Sequence, residues 1–596
     1  MFDKILIANR GEIAVRIIRT AREMSIATVA VYSEADRDAV HVRMADEAYL
    51  IGPASPSASY LNVDAILEVA SRSGARAVHP GYGFLAENAA FARRAIAHGL
   101  VWIGPHPDAI DAMGDKLRAR HAMKKADVPF VPGGTEAIET VEAAREAAAA
   151  FGLPLALKAS GGGGGKGLKV AHTLDEIETA FNTAKREAEA YFKNGTIYAE
   201  RYLENPKHVE LQILADKHGT VLHVGERDCS LQRRHQKLWE ETPANIPLKT
   251  RRAMREAGVR AAQAIGYDSV GTIECLVKGD EFFFLEMNTR IQVEHTVTEM
   301  ISGIDLVREQ IRVAAGEPLG FNQDDISFRG HSIEGRVNAE DPADNFRPAP
   351  GTIRAYREPA GLGVRVDSAA YPGYTISPDY DSMIAKLIVW APTRVQAIAR
   401  LARAIDEYTI EGVPTTLALL RALCDEPSVR DASYGTATLE ALVASGLAMA
   451  KAQTPSFASL GMVTLGSGGG AEPSPPQDLR VEVDDKLYRV RVFDLPQTTG
   501  GSAPAKNGAQ RLAPRAAGKK KSASSSGNDV VSPMHGVVVE MKVAAGDAIA
   551  EGQVVAIVEA MKMMNEIRAH KAGTASVVHA KAGDTIEAQA PLVTIG

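Results

Sequence analysis

The spacing of apolar residues changes period several times along the chain. Residues 4–8 are a short apolar run, and residues 12–24 repeat their apolar positions at helical spacing. Residues 27–32 and 75–79 read as further buried strands. Strand, helix and strand in this order predict βαβ units and an open parallel sheet over residues 1–113. Residues 114–330 mix helical and strand periods, and 331–446 form a further α+β piece. The alternation then gives out. Residues 467–476 are rich in Gly, Ser and Pro, and two strand-like runs come after them at 479–483 and 487–493. Residues 497–528 are dominated by Gly, Ser, Ala, Pro and Lys, the composition of a linker. A flexible stretch of this length has a root-mean-square span of roughly 30 Å. The segment 447–528 therefore reads as a linker with a short β element, and 529–596 as a separate small all-β domain.

That last domain is written twice. The pattern Gly536…Ala545-Gly546-Asp547-Ala-Ile549 recurs 37 positions later as Gly573…Ala582-Gly583-Asp584-Thr-Ile586. Each copy reads as a few short strands with a Gly-Asp turn. At the boundary stands Glu559-Ala-Met-Lys562-Met-Met-Asn565, which sets a single lysine on an exposed turn.

Composition narrows the class without naming it. The chain has 596 residues, 45% hydrophobic and 24% charged, with a net charge of −7. This gives no footprint for nucleic acid or an anionic membrane. The three cysteines lack metal-type spacing and suggest no disulfide framework. The N-terminus turns polar too soon for a signal peptide, and no apolar run reaches the length of a membrane span. A cytoplasmic enzyme is expected.

Three motifs carry chemistry. The turn Asn9-Arg10-Gly11-Glu12 comes after the first strand but lacks the glycine spacing of a dinucleotide site, so NAD is not supported. The run from Ser160 to Gly167 holds six glycines and Lys166 between two predicted strands. Gly167 stands where a P-loop needs Ser or Thr, so the run reads as a flap whose backbone N–H groups close over phosphates. Lys116 and Lys158 are candidate partners for that charge. The third motif is Glu286-Met-Asn288-Thr-Arg290-Ile-Gln292-Val-Glu294-His295. If extended throughout, it places Glu286, Asn288, Arg290, Gln292 and Glu294 on one face. A hairpin about Gly279–Asp280 would set Glu274 opposite or next to Glu286. Two carboxylates this close, with Asn288 beside them, suit Mg²⁺.

Together these segments resemble the biotin carboxylase family of ATP-grasp enzymes over nearly all of residues 1–446. The resemblance rests on Ile7-Ala-Asn-Arg-Gly-Glu-Ile13, His79-Pro-Gly-Tyr-Gly-Phe-Leu85, Arg227-Asp-Cys-Ser-Leu-Gln-Arg-Arg-His-Gln-Lys237 and the stretch from Glu286 to His295. The Met-Lys-Met turn is similar to a biotinyl domain, so the whole resembles the α subunit of bacterial acyl-CoA carboxylases. The resemblance implies a three-part ATP-grasp fold of α/β and α+β type, then a linker and a lipoyl-like carrier. It implies that Lys116, Lys158, Gly164, Gly165, Glu200, Arg201, Leu203, His208 and His235 surround ATP. Glu274, Glu286 and Asn288 would hold Mg²⁺ or Mn²⁺. Lys237, Arg290, Gln292 and Val293 would seat bicarbonate, Glu294 would be its base, and Arg336 would stabilise the biotin enolate. Biotin would be attached to Lys562 by biotin protein ligase, and Arg19 and Glu23 would lie on a helix that pairs subunits into a homo-oligomer. One departure is His535 in Ser532-Pro-Met-His535-Gly536, where relatives usually carry proline.

No carboxyltransferase segment is recognisable, so a separate carboxyltransferase β subunit is expected to complete an acetyl- or propionyl-CoA carboxylase. A pyruvate or methylcrotonyl-CoA carboxylase is the alternative. Two other classes stay open at this level: a different ATP-grasp ligase, and a lipoyl carrier, which the flanking methionines disfavour.

Overall fold

The computed structural model describes residues 1–160, 167–192, 194–234, 236–447, 477–483, 486–492, 528–533, 536–560, 563–586 and 590–596. Four expected site residues, Gly164, Gly165, His235 and Lys562, lie outside them, as does His535.

The N-terminal segment is the expected parallel sheet. Its strands run in the order Glu47–Gly52, Ala27–Ser33, Lys4–Ile7, Ala77–His79 and Val101–Trp102, all parallel. The helix Gly11–Glu23 buries Ile13, Ile17 and Ile18, the apolar stripe that its periodicity marked. Those residues share a core with Ile291, Leu306 and Ile311, so the parallel sheet is anchored to the segment 114–330.

One antiparallel sheet of eight strands spans the next two segments. Its order is Glu281–Asn288, Val270–Lys278, Lys207–Ala215, Val221–Arg233, Gln236–Thr242, His331–Asn338, Met383–Ala391 and Val364–Ser368. The pairing of Gln236–Thr242 with His331–Asn338 carries the sheet across position 330. Trp239 and Leu231 accordingly sit in the same core as Ile333, Leu387 and Leu401. A smaller three-stranded lobe, Leu168–Ala171, Leu155–Ala159 and Ile197–Arg201, is backed by the helices Val141–Phe151 and Ile177–Phe192. The strands on either side of the glycine run pair antiparallel, Leu155 with Ala171 through Lys158 with Leu168. This is the hairpin the flap reading required.

The hairpin Gln477–Val483 with Lys486–Val492 pairs antiparallel throughout and forms part of a unit of its own.

The C-terminal domain is two four-stranded sheets that exchange strands between the sequence copies. One holds Asp529–Val531, Pro591–Ile595, Gly573–Val578 and Ala548–Ile549; the other holds Met563–Arg568, Val554–Ala560, Gly536–Met541 and Thr585–Ile586. The core obeys the repeat: Val530 and Ile567, Val538 and Ala575, Ile549 and Ile586, Val555 and Leu592, Val558 and Ile595 are all buried, each pair 37 positions apart. Ala560 pairs with Met563, so the residues joining these two strands are Met561 and Lys562.

Candidate active site

A cavity of about 480 Å³ opens between the three-stranded lobe and the eight-stranded sheet. All fifteen expected ATP, metal, bicarbonate and catalytic residues that the structure describes line it, from Lys116 and Lys158 at one side to Glu294 and Arg336 at the other.

The hairpin Val270–Lys278 with Glu281–Asn288 builds the acidic wall. Lys278 pairs with Glu281, which leaves Gly279–Asp280 as a two-residue loop, and Gly279 takes the left-handed φ of +61° that such a loop favours. The register sets Glu274 directly opposite Glu286. Like charges this close need cations, and the chain supplies them. Lys116 binds Glu286 at 2.5 Å, and His208 Nε2 lies 3.1 Å from Glu274. Burial works against the charge on Lys116, but Glu286, with Glu200 and Glu274, raises its pKa. Lys158 is paired with Glu200, whose other oxygen accepts from Arg120 at 2.8 Å.

Lys237 is the centre of the site. Its ammonium lies 2.6 Å from Glu210, 3.0 Å from Glu274 and 2.7 Å from Glu294. Burial disfavours this charge, yet the three carboxylates hold its pKa well above the ordinary value. Glu294 is gripped from its other oxygen by Arg336 at 3.0 Å. Burial pushes the Glu294 carboxyl up, but Lys237, Arg336 and Arg227 hold it far below the usual carboxylate range. Arg336 also binds Glu240, which is fully buried. Burial drives that carboxyl up to about 7 against the pull of Arg336.

The segment from 286 to 294 is not one extended strand. The strand ends at Asn288, residues 289–294 turn, and the helix His295–Ser302 begins directly after Glu294. The polar residues reach one cavity by folding rather than by a shared face. Ile291, fully buried in the core beside the N-terminal helix, pulls the backbone off the strand path. Arg290 swings to Glu87 at 2.9 Å and to Asn288 Oδ1 at 2.9 Å. Gln292 Nε2 donates to Glu274 at 2.8 Å, while its oxygen accepts from Arg227 at 3.1 Å. Asn288 also donates to Glu274, at 2.9 Å, so its nitrogen rather than its oxygen faces that carboxylate.

Arg227, Glu210, Glu240 and Glu87 were missed as site residues by sequence reasoning. Arg227 is completely buried and binds Glu210 at 2.6 Å, Gln212 at 2.6 Å and Thr298 at 2.9 Å. A signal for Glu210 existed: His208, Glu210 and Gln212 alternate with apolar residues, as Glu286 and Asn288 do. Nothing local marked Glu87, which arrives from the parallel-sheet segment.

The donor set fits a hard divalent cation beside nucleotide phosphates. Glu274 and Glu286 face one another and present carboxylate oxygens, now paired with Lys116, Lys237, His208 and the neutral amides of Asn288 and Gln292, to an oxygen-seeking ion.

Known families match most of residues 1–441 and again residues 528–595. Residues 1–110 match the family described as biotin carboxylase, N-terminal domain, and 115–322 the ATP-binding domain of the carbamoyl-phosphate synthase L chain. Residues 334–441 match the biotin carboxylase C-terminal domain, and 528–595 the biotin-requiring enzyme domain. Biotin carboxylase 1 of Bacillus subtilis is 52% identical over 443 residues, 74% of this chain and 98% of that one. The chain belongs to the biotin carboxylase family. Its biotin carboxylase part continues into a biotinyl domain, a fusion shared with the biotin-dependent acyl-coenzyme A carboxylase alpha3 subunit of Mycobacterium leprae. That protein is 43% identical over 593 residues, 98% of this chain and 97% of its own. Among solved structures, the biotin carboxylase domain dimer of Hydrogenobacter thermophilus 2-oxoglutarate carboxylase, holding MgADP, ADP and bicarbonate, is similar at a TM-score of 0.72. It is 49% identical and covers 74% of this chain and 98% of that one. These relatives make the fusion an ATP-using, biotin-requiring ligase.

Proposed function

We propose that this biotin carboxylase carboxylates biotin carried on its own Lys562, using ATP and bicarbonate, as the first half-reaction of an acyl-CoA carboxylase. The observation that carries this is the ring of Glu210, Glu274 and Glu294 around Lys237, with Arg336 closing on Glu294. Bicarbonate and the γ-phosphate are both anions and repel each other. Lys237 and Arg290 supply the positive charge that lets them meet. Glu294, already ionised, takes the bicarbonate proton. Lys116 and Lys158 hold phosphate oxygens, and Glu274 and Glu286 would hold Mg²⁺, which neutralises charge on the phosphates. Bound biotin supplies a ureido nitrogen as the CO₂ acceptor, and Arg336, at the cavity wall beside Glu294, orients it.

The acceptor class rests on the Mycobacterium leprae relative, which matches through the carrier domain. Purified chain should cleave ATP with bicarbonate and free biotin but leave acetyl- and propionyl-CoA unchanged until a carboxyltransferase subunit is added. Carboxylation of either by the pure chain would overturn the two-subunit reading. A keto-acid acceptor is the second reading, favoured by the likeness to the 2-oxoglutarate carboxylase domain. Co-purification of the chain with its native partner, then assay on acyl-CoA, pyruvate and 2-oxoglutarate, decides between them. That same structure is of a dimer, which supports pairing through the biotin carboxylase part. Arg19 is exposed on the Gly11–Glu23 helix, and Glu23 at its end binds Arg308 at 2.9 Å.

A further inference from the structure

The turn at 289–294 carries Gln292, Val293 and Glu294 into the cavity without a neighbouring strand to hold it. Its carbonyls find partners in the helix that follows, where the His295 and Val297 N–H groups donate to Gln292 and Glu294, and among side chains. Arg290 donates to the carbonyl of Ile291 at 3.2 Å, and His295 Nδ1 lies 2.7 Å from the carbonyl of Gln292. Both of those partners belong to the same stretch of chain and move with it. The carbonyl of Val293 differs: it accepts from Lys386 Nζ at 3.1 Å, a residue on the strand Met383–Ala391.

Lys386 has no solvent exposure. A lysine in that position needs built counter-charges. Glu12 lies 3.1 Å from its ammonium, and Asp367 lies 3.8 Å away. Asp367 is committed elsewhere, since Arg365 clamps both its oxygens at 2.9 Å and 2.8 Å. Glu12, on the first turn of the N-terminal helix, is thus the principal partner, and its second oxygen accepts from the Tyr82 hydroxyl. Glu12 belongs to the Asn9-Arg-Gly-Glu12 phrase and Tyr82 to the Pro80-Gly-Tyr82 phrase. Neither these two nor Lys386 is among the residues lining the cavity.

We propose that Lys386, held by Glu12, is a positioning residue for the bicarbonate site. It fixes the Val293 carbonyl and so sets the angle at which Val293 and Glu294 meet the substrate. An ammonium has three N–H donors, and Lys386 directs one of them past Glu12 and Asp367 to the Val293 carbonyl of the site turn. The bond to a carbonyl one residue from Glu294 ties the N-terminal segment and the eight-stranded sheet to the reacting end of the cavity. This rests on the reading of Glu294 as the base.

The test is steady-state ATP cleavage with free biotin in Lys386→Met, Glu12→Gln and Glu294→Gln, each full length. Lys386→Met should raise the bicarbonate KM at least tenfold and leave the ATP KM within twofold. Glu12→Gln keeps an acceptor for Lys386 while removing the charge. It should shift the bicarbonate KM about threefold in the same direction, and it decides the matter if Lys386→Met does not fold. Bicarbonate KM and kcat within twofold of the parent, or ATP and bicarbonate KM rising in parallel, overturn the proposal. Lost cleavage in Glu294→Gln beside an unaffected Lys386→Met refutes the positioning role alone. Full cleavage in Glu294→Gln refutes the base, and the bicarbonate KM of Lys386→Met still judges Lys386.

Discussion

A carboxylate held far below its usual titration range is always ionised but is a weak base. Glu294 is in that state because Lys237 and Arg336 both direct their charge at it. Its basicity must rise when those cations turn toward an incoming anion, so proton removal is coupled to occupancy of the site. Glu294→Gln should leave the ATP Kd within twofold and cut bicarbonate-dependent cleavage about 10² to 10⁴-fold, the usual worth of a general base. Unchanged cleavage would count against the assignment. A second residue sets an acid limit on stability. Burial opposes ionisation of Glu241, but hydrogen bonds from His331 and Arg394 outweigh it and bring the carboxyl from 4.5 down to about 2. A lowered carboxylate stabilises fully above its unfolded pKa and loses that contribution as pH falls through the folded one. The thermal midpoint should therefore drop between pH 4.5 and 2 from a loss of roughly 3 kcal/mol at this site. Arg394→Met should flatten that part of the profile, and an identical acid slope in the variant would refute the account.

At the scale of elements, the hairpin Val270–Lys278 with Glu281–Asn288 does most to shape the cavity. The Gly279 loop sets Lys278 opposite Glu281, and a one-residue register shift between Glu274 and Cys275 then opposes Glu274 to Glu286 rather than to Leu285. Glu274→Gln or Glu286→Gln should abolish ATP turnover at ordinary Mg²⁺, and near-normal turnover in both would remove the metal assignment. This hairpin was legible in the sequence because a tight loop and a period of two leave little freedom. The same rule misread the next six residues. Alternation of polar and apolar positions from 286 to 294 looked like one strand, but Ile291 answers to a core shared with the N-terminal helix, and a tertiary contact overrides a local period. Glu210 was readable in principle from its own alternating strand. Arg227 was not, because its role depends on five acceptors gathered from separated positions, Glu210, Gln212, Thr272, Gln292 and Thr298.

At the scale of the whole molecule, the eight-stranded sheet joins what the sequence divided at 330. Glu286 stands on one edge strand, and Arg336 lies on the sixth strand of the same order. The acidic wall and the Arg336 end of the cavity therefore share one continuous hydrogen-bonded surface. The repeat at the C-terminus was visible as sequence, but its strand exchange was not, since identical spacing serves two stacked copies equally well. The exchange means that the strands flanking Lys562 belong to different copies, and that the last strand, Pro591–Ile595, lies between Asp529–Val531 and Gly573–Val578. Removing residues 591–596 leaves Lys562 and its neighbours untouched in sequence. It should nevertheless abolish biotinylation by the ligase, read on a streptavidin blot; normal labelling would show that the first copy stands alone. The effect reaches into synthesis. A nascent chain can complete its catalytic part early, yet by this prediction Lys562 would become a substrate for the ligase only once Pro591–Ile595 has paired with Asp529–Val531 and Gly573–Val578. A chain lacking Pro591–Ile595 would then stay unloaded however well its catalytic part has folded.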